Sequence, residues 1–171
     1  MSFMQQPRTF GRAIYKRQSD DFARQRSRYV DIFSETELRL SQLYIKLGLK
    51  KHDGSFGQKV GELSALKPSP GLSKATASQI RSICADLSRH VKMRNSLVHA
   101  TMSIGSKSNE DVAFFQKTSD AATDNPIYFV MSFDDFAAAI EALDDLTDRL
   151  QATVIRLSSP PQPKQGAASG L

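Results

Sequence analysis

Residues 73–100, SKATASQIRSICADLSRHVKMRNSLVHA, carry the pattern on which the fold turns. Ile80, Ile83, Cys84, Leu87 and Val91 recur at steps of three and four, the period of one face of an α-helix. Ser73, just after the helix-breaking run Pro68-Ser69-Pro70-Gly71, is a natural N-cap, because its hydroxyl can accept from an otherwise unpaired backbone N–H. Extending the stripe by the same steps leads to Arg94, Asn95 and Val98. Two polar side chains thus stand where the pattern asks for apolar ones, a costly arrangement unless they find partners or line a cleft. His99 follows Asn95 at i+4 and shares its side of the helix. Arg94 is about 140° from His99 at roughly 100° per residue, within reach of its long side chain.

Arg94-Asn95-Ser96-Leu97-Val98-His99 reads R-N-x-x-x-H. It resembles the signature of the HEPN superfamily (higher eukaryotes and prokaryotes nucleotide-binding), an Arg followed after four to six residues by a His. The resemblance is sharpest over these six residues and extends to the helical layout around them. It implies an all-α, up-and-down bundle and a metal-independent endoribonuclease working as a homodimer, of the toxin or phage-defence and stress-effector kind. Arg94 and His99 take the catalytic roles, and Asn95 supports them. The implied partners are RNA and a cognate antitoxin or regulatory protein, with no cofactor and no metal. Thr101 stands where one toxin subgroup carries a Tyr, so the activity of that subgroup is not implied.

The residue types suit the chemistry. Imidazole titrates near neutrality and serves as base or acid. A guanidinium stays charged and presents a planar fork to phosphate oxygens. Asn95 can donate to the phosphate or fix the imidazole tautomer. The expected products are a 2′,3′-cyclic phosphate and a 5′-hydroxyl. One chain offers a single His on this side, His90 lying nine residues back and opposite; a two-fold dimer would supply paired imidazoles and arginines. A non-catalytic module binding RNA, a nucleotide or a protein is the alternative, and a purely structural helical dimer a third.

The 171 residues suffice for one domain with a proper core. No apolar run approaches the ~20 residues of a membrane helix, and the N-terminus has no apolar core of a secretory signal. The lone Cys84 excludes an internal disulfide framework or Cys-based metal site, reads as core filler, and fits a reducing, cytoplasmic setting. His52, His90 and His99 lack metal-ligand spacing. No G-x-x-x-x-G-K-[ST] loop is present, which excludes a P-loop triphosphatase. A net charge of +5 and a pI near 9.4 are compatible with a nucleic-acid partner. Basic residues such as Arg24, Arg26, Arg28, Lys46 and Lys50 gather in the first part, acidic ones such as Asp134, Glu141, Asp145 and Asp148 near the end. Such asymmetry steers RNA to one side, or simply marks solvated faces.

Residues 1–18 read as a basic arm, flexible or draped on the body, with Phe3, Phe10 and Tyr15 free to stack on bases or pack. Residues 19–157 form the helical domain. Its first helix is expected over 20–47, on the stripe Tyr29, Val30, Phe33, Leu40, Leu43, Tyr44 and Leu47, with Gly48 as its stop. Glu37 falls between Phe33 and Leu40, either as a buried partner of Arg94 or at the stripe's edge in water. Loop residues 50–55 lead to a short helix over 56–66. After His99, β-branched and aromatic runs at 101–104, 112–118 and 127–131 predict a small hairpin or three-strand insertion before the last helix. Ser132 to Asp135 resembles a capping box opening that helix, whose stripe is Phe133, Phe136, Ile140, Leu143, Leu150 and Val154. Residues 158–171, rich in Pro, Gly and Ser, are expected to be disordered.

Overall fold

The computed structural model describes residues 7–49, 54–107, 110–117 and 127–158, the side chains of 7–18, 117, 127 and 128 apart. In chain order these form α1 (Pro7–Lys46), α2 (Phe56–Ser64), α3 (Lys74–His99), β1 (Thr101–Lys107), β2 (Glu110–Lys117), β3 (Ile127–Ser132) and α4 (Phe133–Ser158). Four helices and a three-stranded antiparallel sheet before the last of them match the expected layout. The first helix starts earlier than its apolar stripe announces. Pro7 is tolerated there because a first-turn N–H has no helical acceptor anyway. Phe3, His52 and the tail beyond Ser158 lie outside the described residues, as do the side chains of Phe10 and Tyr15.

Helix α1 ends as its glycine predicts. Gly48 takes φ +66°; its N–H bonds to Ile45 O at 2.9 Å and that of Leu49 to Tyr44 O at 3.3 Å. This paired closure needs a left-handed residue, which glycine adopts without a Cβ penalty. Ser55 caps α2 reciprocally with Gln58, Ser73 caps α3, and Ser132 with Asp135 closes the expected box at α4.

The directions of the helices depart from strict up-and-down alternation. Phe33 meets Phe56 at 4.7 Å and Ser41 meets Lys59 at 3.0 Å, so α2 begins beside the middle of α1 and runs the same way. Phe22 against Phe136 and Thr36 against Thr147 make α4 parallel to α1 as well. Helix α3 runs counter to α4, with Arg156 on Gln79 and Arg149 beside Asp86. The cause is that α2 starts alongside α1 rather than at its end.

The core lies among all four helices and one face of the sheet. Ile80, Ile83, Cys84 and Leu87 of α3 are fully buried, each worth about 1.5–3 kcal/mol of apolar transfer for the larger side chains. The sheet has the order β1-β2-β3. Its register pairs Ile104 with Ala113 and Phe115 with Phe129, and alternation puts Ile104, Ala113, Phe115 and Met131 into the core. On the other face Phe114 covers Gly105, where a Cβ would stand 2.7 Å from the ring.

Candidate functional site

The last turns of α3 bury a different side from the one its stripe predicts. Leu97 is fully buried and Ala100 nearly so, whereas Val98 is 37% exposed. Up to Leu87 the buried face is set by the other helices, but the end of α3 adjoins β2 of the sheet that grows from it. That sheet covers the Leu97 side. Asn95, Val98 and His99 are left to solvent and Arg94 half-buried.

Arg94 packs on α1. Its guanidinium carbon lies 5.7 Å from the centroid of the Phe33 ring, a cation–π arrangement that holds the head in place while leaving it wet. Its Nη1 donates to Asn95 Oδ1 at 3.3 Å. Both side chains line a groove of about 330 Å³ together with Val91 of the same helix. Phe33 and Glu37 of α1 form one wall, and Ser55, Phe56 and Gly57 at the start of α2 another.

Three of the four residues singled out in the sequence therefore meet at one groove. Glu37 reaches it, half-buried, yet no ion pair within 4.0 Å joins it to Arg94 among the described residues. The buried stripe position it was a candidate for belongs to Thr36, which is fully buried. Its hydroxyl bonds to Ile32 O at 2.8 Å and contacts that of Thr147 at 2.6 Å. His99 is the one left out: it is exposed on the last turn of α3 and is not among the groove's residues.

Two other titratable groups of α3, His90 and Cys84, point inward. His90 is half-buried, its Nδ1 2.9 Å from the hydroxyl of the fully buried Tyr29. The two rings stack with centroids 6.0 Å apart. Burial lowers its pKa, opposed by Asp86 and reinforced by Arg89. Burial likewise pushes the Cys84 thiol up to about 12, which keeps it protonated and unreactive. The acidic residues Asp134, Glu141, Asp145 and Asp148 of α4 are all exposed.

The α2 wall of the groove went unread in the sequence, although its signal was present. Ser55-Phe56-Gly57-Gln58 is an S-x-x-Q capping box, which fixes where α2 starts and hence sets Phe56 against Phe33. Comparison of the chain with family models, with curated proteins and with solved structures gives no match in any of the three.

Proposed function

We propose that this chain is a HEPN-like, metal-independent endoribonuclease, working as a homodimer through the side of α3 that carries Arg94, Asn95 and His99. In the reaction, one His99 imidazole takes the proton of a ribose 2′-hydroxyl as its oxygen bonds to the adjacent phosphorus. The P–O5′ bond breaks, and the second imidazole, protonated, gives its proton to the departing 5′-oxygen. The products are a 2′,3′-cyclic phosphate and a 5′-hydroxyl. Arg94 counters the charge gathering on the phosphate oxygens and Asn95 donates beside it. RNA is the substrate, and a toxin or defence and stress effector under a cognate antitoxin or regulatory protein is the matching role, in the cytoplasm. Among the described residues no helix is long and apolar enough to cross a membrane.

The observation that carries this proposal is the placement of the R-N-x-x-x-H set. Arg94 is braced on Phe33 and bonded to Asn95, and His99 is exposed one turn further on. A polar cluster at an element's end, unburied in the protomer, suits a cleft completed by a second copy.

The test incubates the purified protein with mixed RNA in excess chelator. General acid–base catalysis contributes about 10²–10⁴ in rate, so His99→Ala should lose at least that order with unchanged circular dichroism. Arg94→Ala should lose activity too, and Arg94→Lys should recover little, lacking the planar fork. RNA that is bound but not cut by the wild type would leave the non-catalytic binding module as the function. One observation favours that second reading: the groove gathers Arg94, Asn95 and Glu37 without His99.

A further inference from the structure

We infer that the groove between α1, α2 and the end of α3 is a nucleobase subsite selective for guanine, read by the carboxylate of Glu37. The inference rests on the RNA recognition proposed above and names which base it selects. Its starting point is a separation of charges. Glu37 and Arg94 line the same groove but do not pair, and among the described residues the Glu37 carboxylate has no hydrogen bond or ion pair. A half-buried carboxylate and a guanidinium that forms no ion pair among the described residues, both lining one groove, leave room for something with donors toward one and negative charge toward the other.

The space between them has the character a base requires. Phe33, Phe56 and Val91 supply its apolar lining; Phe33 and Phe56 are 3% and 8% exposed, so a base would rest against their edges. Its volume of about 330 Å³ falls at the small end of ligand sites, about 300–1,000 Å³. Identity is then decided at the edge. An ionised carboxylate only accepts, at two parallel oxygens. Guanine alone among the four bases presents two adjacent donors, N1–H and the 2-amino group, to match them. Adenine and cytosine each set a ring-nitrogen acceptor beside their amino group, and uracil flanks its single N–H with carbonyls, so each puts a lone pair against Glu37. Arg94, bonded to Asn95 on α3, is left for the phosphate of the same nucleotide.

The experiment titrates the full-length protein with 5′-GMP, IMP, AMP, CMP and UMP, following ¹⁵N-labelled amide shifts, and maps cleavage of mixed RNA separately. A bidentate base contact is worth about 1–3 kcal/mol of discrimination, so GMP should bind roughly tenfold or more tightly than AMP. IMP, which lacks the 2-amino group, should fall between them. Glu37→Gln, which replaces one acceptor by a donor, should abolish the preference by weakening GMP, while AMP, whose ring nitrogen then meets a donor, should hold or gain. Because Glu37 is half-exposed and its carboxylate makes no hydrogen bond or ion pair among the described residues, this variant should fold normally. Equal affinity for all five nucleotides overturns the subsite even if RNA is cut. A GMP preference abolished by Glu37→Gln upholds it even if no RNA is cut, in which case the ribonuclease proposal fails alone. A preference that survives Glu37→Gln, or a loss of self-association in that variant without change in nucleotide binding, also overturns it. The latter result assigns the carboxylate to a contact between copies.

Discussion

His90 shows what a single titratable group can contribute when the fold holds it in one form. Its ring lies on Tyr29, Nδ1 at 2.9 Å from the phenol oxygen, and burial lowers its pKa from the ordinary 6.5. Asp86 and Arg89 on its own helix pull in opposite senses, and Asp145 and Arg149 of α4 line the same cleft. The folded protein therefore favours the neutral ring. Below pH 6.5 the unfolded chain takes up a proton that the folded chain resists. The stabilisation is thus present above the unfolded value and lost as pH falls through 6.5 toward the lower folded value. The melting temperature should drop between pH 7 and 5.5, and His90→Asn, which keeps a polar atom near Nδ1, should flatten that drop. A variant with the full wild-type slope would place the pH dependence elsewhere.

At the scale of the elements, the pairing of α1 with α4 is pinned by two buried threonines. The Thr36 and Thr147 hydroxyls lie 2.6 Å apart, and each is also within 2.8 Å of the carbonyl four residues before it. Two hydroxyl protons cannot fill three hydrogen bonds at once, so the pair shares them. Replacing one threonine by valine leaves the other still able to donate to its own carbonyl. Thr36→Val and Thr147→Val should each cost roughly 0.5–1.5 kcal/mol, the net value of one hydrogen bond. The double variant should cost less than their sum, because the shared bond is counted in both. Urea midpoints of the four proteins give the answer, and strict additivity would deny the coupling. The same pair explains what the sequence left unread. Helices α3 and α4 were legible because their stripes are built of Ile, Leu and Phe and their starts carry Ser caps, although Phe133, placed in the α4 stripe, is 41% exposed. Along α1 the stripe breaks at Thr36 and Glu37, and only the facing Thr147 makes the former the buried one. At the end of α3 the choice between Leu97 and Val98 likewise depends on a sheet that comes later in the chain. The strands themselves were legible from their β-branched and aromatic runs, the parallel course of α2 was not. For the groove, Arg94, Asn95 and Glu37 could be named from the pattern, while Phe33 and Phe56 read only as core.

For the whole molecule, the decisive property is whether two chains meet at the end of α3. Within one protomer His99 is exposed and lies outside the groove that holds Arg94 and Asn95. Val98, 37% exposed, lies between Asn95 and His99 in the sequence and gives that side an apolar centre framed by polar groups, the usual anatomy of a contact surface. A two-fold axis passing near Val98 would bring the two His99 rings toward each other. Light scattering at micromolar concentration should give twice the chain mass. Val98→Asp should shift the protein toward monomer, since two like charges would face each other at the axis. Its thermal stability at low concentration should stay near that of the wild type, because an exposed side chain removes little from the core. Cleavage per chain should fall with the dimer fraction and recover as concentration is raised. A stable dimer indifferent to Val98→Asp would locate the interface on another face, and full activity in a monomer would require both proton transfers to be served within one chain.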